Sequence, residues 1–143
     1  MAIPTPEPGL VISYAYLWHD EYKAGRSEGR KDRPCVIVLA VDIDQSGSTI
    51  VTVPPVTHAQ PAEPGTGVEI PPAVKRHLGL DEARSWIVVT EGNEFAWPGY
   101  DLRRRPRSDR YDYGFLPPRI FDRVRDAFVE WHRARRSRTT PRS

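Results

Sequence analysis

Residues 27 to 40 read Ser27-Glu28-Gly29-Arg30-Lys31-Asp32-Arg33-Pro34-Cys35-Val36-Ile37-Val38-Leu39-Ala40. A polar loop that contains glycine ends in an arginine, and a proline and an apolar run follow at once. Apolar runs rich in β-branched residues and bounded by turn residues are typical of buried strands. The stretch therefore predicts that Arg33 lies at the rim of a rigid strand, with the rest of the chain arranged around its guanidinium.

A second apolar run of the same kind, Ile50 to Val53, leads through Pro54-Pro55-Val56 into Thr57. The two prolines stiffen the backbone just before the threonine. Thr57 is therefore the natural partner for Arg33: both polar side chains are expected at strand ends.

Length and composition favour one domain over residues 1–143, with an ordered core from about residue 9 to 135. The single cysteine, Cys35, lies in an apolar run, which excludes an intrachain disulfide and favours a reducing compartment. The first 18 residues have neither a basic leader nor an unbroken apolar span. We therefore expect no signal peptide or membrane segment, and a cytoplasmic location.

The net charge of +2 is unevenly distributed along the chain. Residues 1–100 contain 8 basic and 13 acidic side chains, whereas residues 101–143 contain 13 arginines and 6 acidic side chains. Guanidinium groups match phosphate geometry, so the distribution suits a polyanionic partner such as RNA. The alternative, a solvated helix face and a loose tail, remains open at this point.

The pattern predicts a mainly β (α+β) fold: a small, closed SH3-like β-barrel with a short helix in the chain and a C-terminal capping helix. The short helix should start at Pro71-Pro72 and stop at Gly79, and the capping helix should start at Pro117-Pro118. Three other segments are predicted to lack regular structure: loop 18–32, a mobile insertion loop at 98–114 and a flexible tail at 137–143. The predicted strands are 10–17, 34–41, 49–53, 68–70, 86–90 and 94–97.

Three short motifs resemble the MazF/PemK toxin endoribonucleases of bacterial toxin–antitoxin systems. The first is Ser27-Glu28, separated by four residues from Arg33-Pro34. The others are Pro55-Val56-Thr57, and Trp86 to Glu91 followed by a C-terminal helix. The resemblance covers about residues 9 to 135. The chain departs from the family pattern where Gly29 replaces a usual Gln, and where Lys31 replaces a usual Gly.

The resemblance implies cleavage of single-stranded RNA (mRNA) without a metal or cofactor, through attack of the 2′-hydroxyl on the adjacent phosphate. It gives Arg33 the role of charge stabiliser and candidate proton donor, with Thr57 as its helper, which suits the bidentate fork of a guanidinium. Glu28, His58 and Glu91 are further candidates for proton transfer or orientation. Structural roles are the alternative: Arg33 pairing with a loop carboxylate, Thr57 capping a turn, and the other three serving only as surface or turn residues.

Aromatic stacking and basic side chains hold single-stranded RNA. The candidates for this role are Trp18, His19, Tyr22, Arg30, Lys31, Trp97, Tyr100, Arg103, Arg104 and Arg105. The resemblance also implies a homodimer, a product with a 2′,3′-cyclic phosphate, and a cognate antitoxin that blocks the RNA groove. Two other functions stay open: a barrel that binds nucleic acid or protein without cutting, and a toxin scaffold recruited to regulation.

Overall fold

The computed structural model describes residues 3–29, 31–43, 47–134 and 138–142, which form ten strands and three helices. The helices are α1 (His19–Lys23), α2 (Pro72–Leu78) and α3 (Pro118–Arg133). The strands are β1 (Leu10–Ala15), β2 (Asp32–Val36), β3 (Leu39–Ile43), β4 (Ser48–Val53), β5 (Val56–Thr57), β6 (Gly67–Glu69), β7 (Trp86–Val88), β8 (Glu91–Ala96), β9 (Asp112–Phe115) and β10 (Arg138–Pro141).

The strands form three sheets within the described residues, in the orders β2-β1-β9, β10-β8-β4-β3 and β5-β7-β6. Neighbouring strands are antiparallel except for β10, which runs parallel to β8. The predicted mainly β, α+β class is therefore confirmed. The predicted closed barrel is wrong, because the backbone hydrogen bonds divide the strands among separate sheets and do not join them in one ring.

Strand β1 connects two hydrophobic clusters because its side chains alternate between opposite faces. Val11 belongs to the cluster that also contains Val124 and Phe128 of α3, so the predicted packing of a C-terminal helix against the strands is confirmed. Ile12 and Tyr14 belong to the second cluster, where the Tyr14 and Phe95 rings stack with centroids 4.6 Å apart.

The apolar run at residues 34–41 does not form the single strand that its composition predicts. β2 ends at Val36 after pairing with β1, and β3 begins at Leu39 and pairs with β4. Between them, the Ile37 amide donates to Leu10 and the Val38 amide donates to Thr52, so the chain passes from one sheet to another at this point. Residues 35 to 38, which end β2 and form the crossing between the sheets, are all buried, and this explains the unbroken apolar run.

Both predicted helix starts are confirmed, since α2 and α3 begin within the two Pro-Pro pairs. Proline suits the first helical turn because its φ is already helical and its missing N–H has no intrahelical partner there. Gly79 ends α2 with φ of 71°, a left-handed conformation that favours glycine. In the described part of the chain, no helix combines the length and apolar character needed to cross a membrane.

Two segments predicted to lack regular structure contain strands. β9 occupies the end of the 98–114 loop and pairs with β1, so that part of the prediction is wrong. β10 lies in the predicted flexible tail 137–143, and it pairs with the open edge of β8. A sheet edge offers unpaired backbone groups to any extended segment, so pairing there needs no local apolar residues.

Candidate functional site

A cavity of about 570 Å³ is lined by residues of β2, β5 and the turn after α2. Six of the residues singled out from the sequence line it: Trp18, Lys31, Arg33, Thr57, His58 and Arg105. They come from distant parts of the chain, and the bridge between Cys35 of β2 and Pro55, just before β5, brings Arg33 and Thr57 close together.

Arg33 is held by neutral groups. Its Nη1 donates to the Val56 carbonyl oxygen at 3.2 Å, and its guanidinium carbon lies 5.0 Å from the centre of the Trp18 ring. Its Nε is buried without a hydrogen-bond partner, and none of the carboxylates in the described ranges pairs with it. Asp32, the alternative partner from the sequence, lies instead 3.8 Å from Arg103. The guanidinium therefore keeps its charge and N–H groups for a ligand in the cavity.

Thr57 follows directly after the carbonyl group that holds Arg33. Its hydroxyl accepts a hydrogen bond from the Ala59 amide at 3.2 Å, which is the turn-capping role considered as its alternative. A hydroxyl that accepts such a bond still has its own hydrogen to donate. Capping the turn and donating to a ligand in the cavity are therefore compatible.

His58 has a charged partner that the sequence did not single out. Its Nε2 lies 2.9 Å from Oδ2 of Asp81, and the other carboxylate oxygen accepts from Nζ of buried Lys75 at 2.7 Å. The hydrogen bond from Lys75 is the main cause that lowers the pKa of Asp81 below its usual value. The only signal in the sequence was a lysine on the short helix followed by an aspartate just after the helix stop.

A second cavity, of about 500 Å³, shares Trp18, Lys31 and Arg33 with the first. Glu91 lines only the second, where its Oε1 accepts hydrogen bonds from the Tyr16 hydroxyl and from the His19 amide, both at 2.9 Å. Burial raises the pKa of Glu91. The two cavities thus meet at Arg33, with His58 on one side and Glu91 on the other.

The other described residues predicted for the site line neither cavity. Glu28 is exposed, and its carbonyl oxygen accepts a hydrogen bond from Arg26. Trp97 donates from its indole nitrogen to Pro4, and Arg103 donates to the carbonyl of Tyr100. Tyr22, Tyr100 and Arg104 are exposed, His19 contributes its amide to Glu91, and Arg30 lies outside the described residues.

Gly29, one of the departures from the family pattern, has a physical explanation. A Cβ atom at this position would lie 2.3 Å from the carbonyl oxygen of Tyr16 and 2.7 Å from that of Ala15. Both contacts are with backbone atoms, which cannot move without shifting β1. The loop that leads to Arg33 therefore passes so close to β1 that only glycine fits there.

In the stretches that the structure describes, no three His, Cys, Asp or Glu side chains are arranged to hold a metal ion. Cys35 is a buried free thiol, and burial raises its pKa well above the usual range, so it packs as a small apolar residue.

Comparison with known proteins identifies a family. The model of the family described as PemK-like, MazF-like toxin of type II toxin–antitoxin system matches residues 16–93, more than half of the chain. The matched region includes Arg33, Thr57, His58 and Glu91 and most of the lining of both cavities. A search of curated proteins found no match. On the family match, the chain belongs to the PemK-like, MazF-like toxins of type II toxin–antitoxin systems.

Proposed function

We propose that this toxin is a metal-independent endoribonuclease that cleaves single-stranded RNA, including mRNA in the cytoplasm, until a cognate antitoxin blocks the groove. The observation that carries the proposal is that Arg33 and Thr57 line the same cavity, where the guanidinium donates to a carbonyl oxygen and forms no ion pair with a carboxylate of the described residues. A cavity of about 570 Å³ is within the range of small-molecule sites and has room for a phosphodiester with an attached nucleoside.

The reaction begins when the 2′-oxygen of the RNA attacks the neighbouring phosphorus. The O2′–P bond forms and the P–O5′ bond breaks, which yields a 2′,3′-cyclic phosphate and a free 5′-hydroxyl. Extra negative charge collects on the non-bridging oxygens between these two events. In this mechanism the free N–H groups of Arg33 and the hydroxyl of Thr57 donate to those oxygens, and such donors stabilise the transition state most when they are fixed beforehand.

Two proton transfers complete the reaction, one from the 2′-hydroxyl and one to the departing 5′-oxygen. The attacking and leaving oxygens lie on opposite sides of the phosphorus, so the groups that serve them must also lie on opposite sides. His58 and Glu91 are the candidates for these two groups, since they line different cavities that share Arg33. Glu28 is a weaker candidate because it is exposed and lines neither cavity.

Basic and aromatic side chains around the two cavities supply the means to hold the RNA strand. Lys31 and Arg105 line the first cavity beside Arg33, and each cation can meet a backbone phosphate. The Trp18 ring lies at the junction of the two cavities, where a base can stack on an indole. Tyr22 and Tyr100 are exposed and remain candidates for contacts further along the strand.

The test is cleavage of a mixed RNA substrate in the presence of EDTA. Arg33→Ala and Thr57→Ala should each lower the cleavage rate by about 100-fold or more, because each removes a donor to the transition state. Matched controls are Arg125→Ala on the exposed face of α3 and Thr49→Ala in the β3–β4 hairpin, which should leave the rate within about twofold.

The alternative is a protein that binds nucleic acid without cutting it. Failure of the wild type to cleave any of several RNAs in EDTA, together with retained RNA binding, would favour that function. Cleavage that depends on an added divalent metal would instead contradict the metal-independent mechanism.

We also propose that the toxin is a homodimer. β3 is the edge strand of its sheet, and its Leu39, Val41 and Ile43 side chains are between 43% and 59% exposed. These residues alternate along the strand, so they point to one face. A two-fold symmetric contact would cover both the strand edge and this apolar face.

A further inference from the structure

We propose that Asp81 is a positioning residue that fixes His58 as the proton donor to the leaving 5′-oxygen, and that Lys75 holds Asp81 in place. The inference rests on the proposed function, gives His58 a definite role in it and adds Asp81 and Lys75 to its mechanism. The three side chains form a continuous series of contacts from the buried face of α2 to the wall of the first cavity.

Lys75 is a buried cation whose hydrogens are all engaged. Its side chain is 6% exposed, and its Nζ donates to Oδ1 of Asp81 at 2.7 Å, to Oγ of Ser85 at 2.6 Å and to the carbonyl oxygen of Ala83. An ammonium group has three hydrogens, so these contacts use all of them. A buried charge is costly unless it is paired, so Lys75 constrains both the charge and the position of Asp81.

The carboxylate of Asp81 then determines the orientation of the imidazole. Its Oδ2 lies 2.9 Å from Nε2 of His58. An ionised carboxylate can only accept hydrogen bonds, and the Lys75 ammonium lowers the pKa of Asp81, which keeps it ionised near neutral pH. Nε2 of His58 therefore carries the hydrogen in this contact, and Nδ1 remains for the reacting groups.

The protons balance with His58 as the acid. Glu91 takes the hydrogen of the 2′-hydroxyl as the O2′–P bond forms, and the imidazolium gives its Nδ1 hydrogen to O5′ as the P–O5′ bond breaks. The carboxylate of Asp81 stabilises the positive ring before transfer. Solvent returns a proton to the imidazole and removes one from Glu91 after the products leave.

Four other charged side chains line the cavity beside His58. Lys31, Asp32, Arg33 and Arg105 line the same cavity, and Lys75 lies beyond Asp81. The cations oppose a positive imidazole, whereas Asp81 is in direct contact with it and favours it. A change of charge at Asp81 should therefore have more effect on His58 than a change at the more distant groups.

The experiment compares Asp81→Asn, His58→Ala and the double variant in single-turnover RNA cleavage over a range of pH. Asp81→Asn should slow cleavage about tenfold or more, with little change in KM. His58→Ala should slow it about 100-fold and abolish the alkaline limb of the pH–rate profile. The double variant should be no slower than His58→Ala, because both changes act through one group.

The control is Asp122→Asn on α3, which removes a carboxylate about as exposed as that of Asp81 from its ion pair with Arg125. This variant should leave the pH–rate profile unchanged. Asp81→Glu should restore part of the activity lost in Asp81→Asn. Wild-type activity and an unchanged pH profile in His58→Ala would overturn the inference while the proposed function stands.

A second measurement does not depend on cleavage. The ¹⁵N signals of the His58 ring report which nitrogen carries the proton in neutral imidazole. We expect the Nε2–H form in the wild type and a mixture of the two forms in Asp81→Asn. The same mixture in both proteins would overturn the positioning role of Asp81, whether or not the wild type cuts RNA.

Discussion

At the level of single residues, Glu91 combines burial with hydrogen bonds that favour its charge. The Tyr16 hydroxyl and the His19 amide both donate to its Oε1, and burial outweighs them, so its pKa is raised. The folded protein therefore binds this proton more tightly than the unfolded chain does. Ionising Glu91 must then cost folding free energy.

The first prediction concerns the pH dependence of stability. Protonated Glu91 stabilises the folded protein. This stabilisation is lost as the pH rises from the ordinary glutamate pKa through the raised pKa in the folded protein, and above that pKa the full cost of burying the charged carboxylate remains. Glu91→Gln cannot ionise and can still accept the two hydrogen bonds. Urea unfolding should therefore show the variant gaining stability relative to the wild type between about pH 4 and neutral pH.

The exposed Glu63→Gln serves as control for this measurement and should show no such gain. A difference between Glu91→Gln and the wild type that stays constant with pH would contradict the raised pKa of Glu91.

The candidate site was only partly accessible from the sequence. Arg33 and Thr57 could be found because each stands next to proline and an apolar run, which marks the end of a strand. Asp81 and Lys75 could not, because a lysine on a helix is usually solvated and its burial follows from how α2 packs. The junction of the two cavities at Trp18 likewise depends on the three-dimensional path of the loop after β1.

At the level of elements, β10 shows how a segment without apolar residues can be ordered by its partner. Its backbone pairs with β8 from Glu91 to Glu94, and the next residue, Arg142, is buried with a side chain 3% exposed. The guanidinium donates to Asp101 and to Asn93, both at 2.7 Å, and to the carbonyl oxygen of Ala15 at 3.1 Å. This arginine joins β10 to β1, to β8 and to the 98–114 loop.

The second prediction is that Arg142→Ala lowers the free energy of unfolding by about 3 kcal/mol, because it removes the nearer of the two arginine partners of the largely buried Asp101. Chemical denaturation measures the change. Arg125→Ala is the matched control, since its pairs with Asp122 and Asp126 are exposed, and it should cost less than about 1 kcal/mol. Equal losses of unfolding free energy in the two variants would show that the contacts of Arg142 stabilise the fold no more than exposed ion pairs do.

Helices α2 and α3 were predictable, whereas several strands and α1, which lies in the predicted loop 18–32, were not. Pro71-Pro72 and Pro117-Pro118 act through local backbone geometry, which is visible in the sequence. Strand partners are tertiary, so the run at 34–41 could not show that it changes sheets at Ile37 and Val38. For the same reason the series of short strands predicted one closed barrel, whereas the described strands form three sheets.

At the level of the whole molecule, the exposed apolar face of β3 is the surface through which we propose that two copies of the chain associate. The third prediction is that Val41→Asp shifts the proposed dimer toward monomer, because a charge would have to be buried where Val41, 59% exposed in the single chain, meets its copy. Sedimentation velocity at several concentrations measures the shift. Asp42→Asn, on the other face of the same strand, should leave the association unchanged.

An unaltered sedimentation coefficient in Val41→Asp would place any dimer contact elsewhere. A wild type that sediments as a monomer at every concentration would remove the homodimer from the proposal. RNA cleavage by such a monomer would then show that one copy of the chain is sufficient for the reaction.

The stacking of the Arg33 guanidinium on Trp18 has a consequence for measurement. An anion that draws the guanidinium into either cavity must change the surroundings of the indole 5.0 Å away. Indole emission depends on nearby charge, so the fluorescence of Trp18 should change when an anion binds in either cavity. Replacing the other three tryptophans with phenylalanine would isolate its signal, and titration with an uncleavable 2′-deoxy oligonucleotide would then follow binding without turnover.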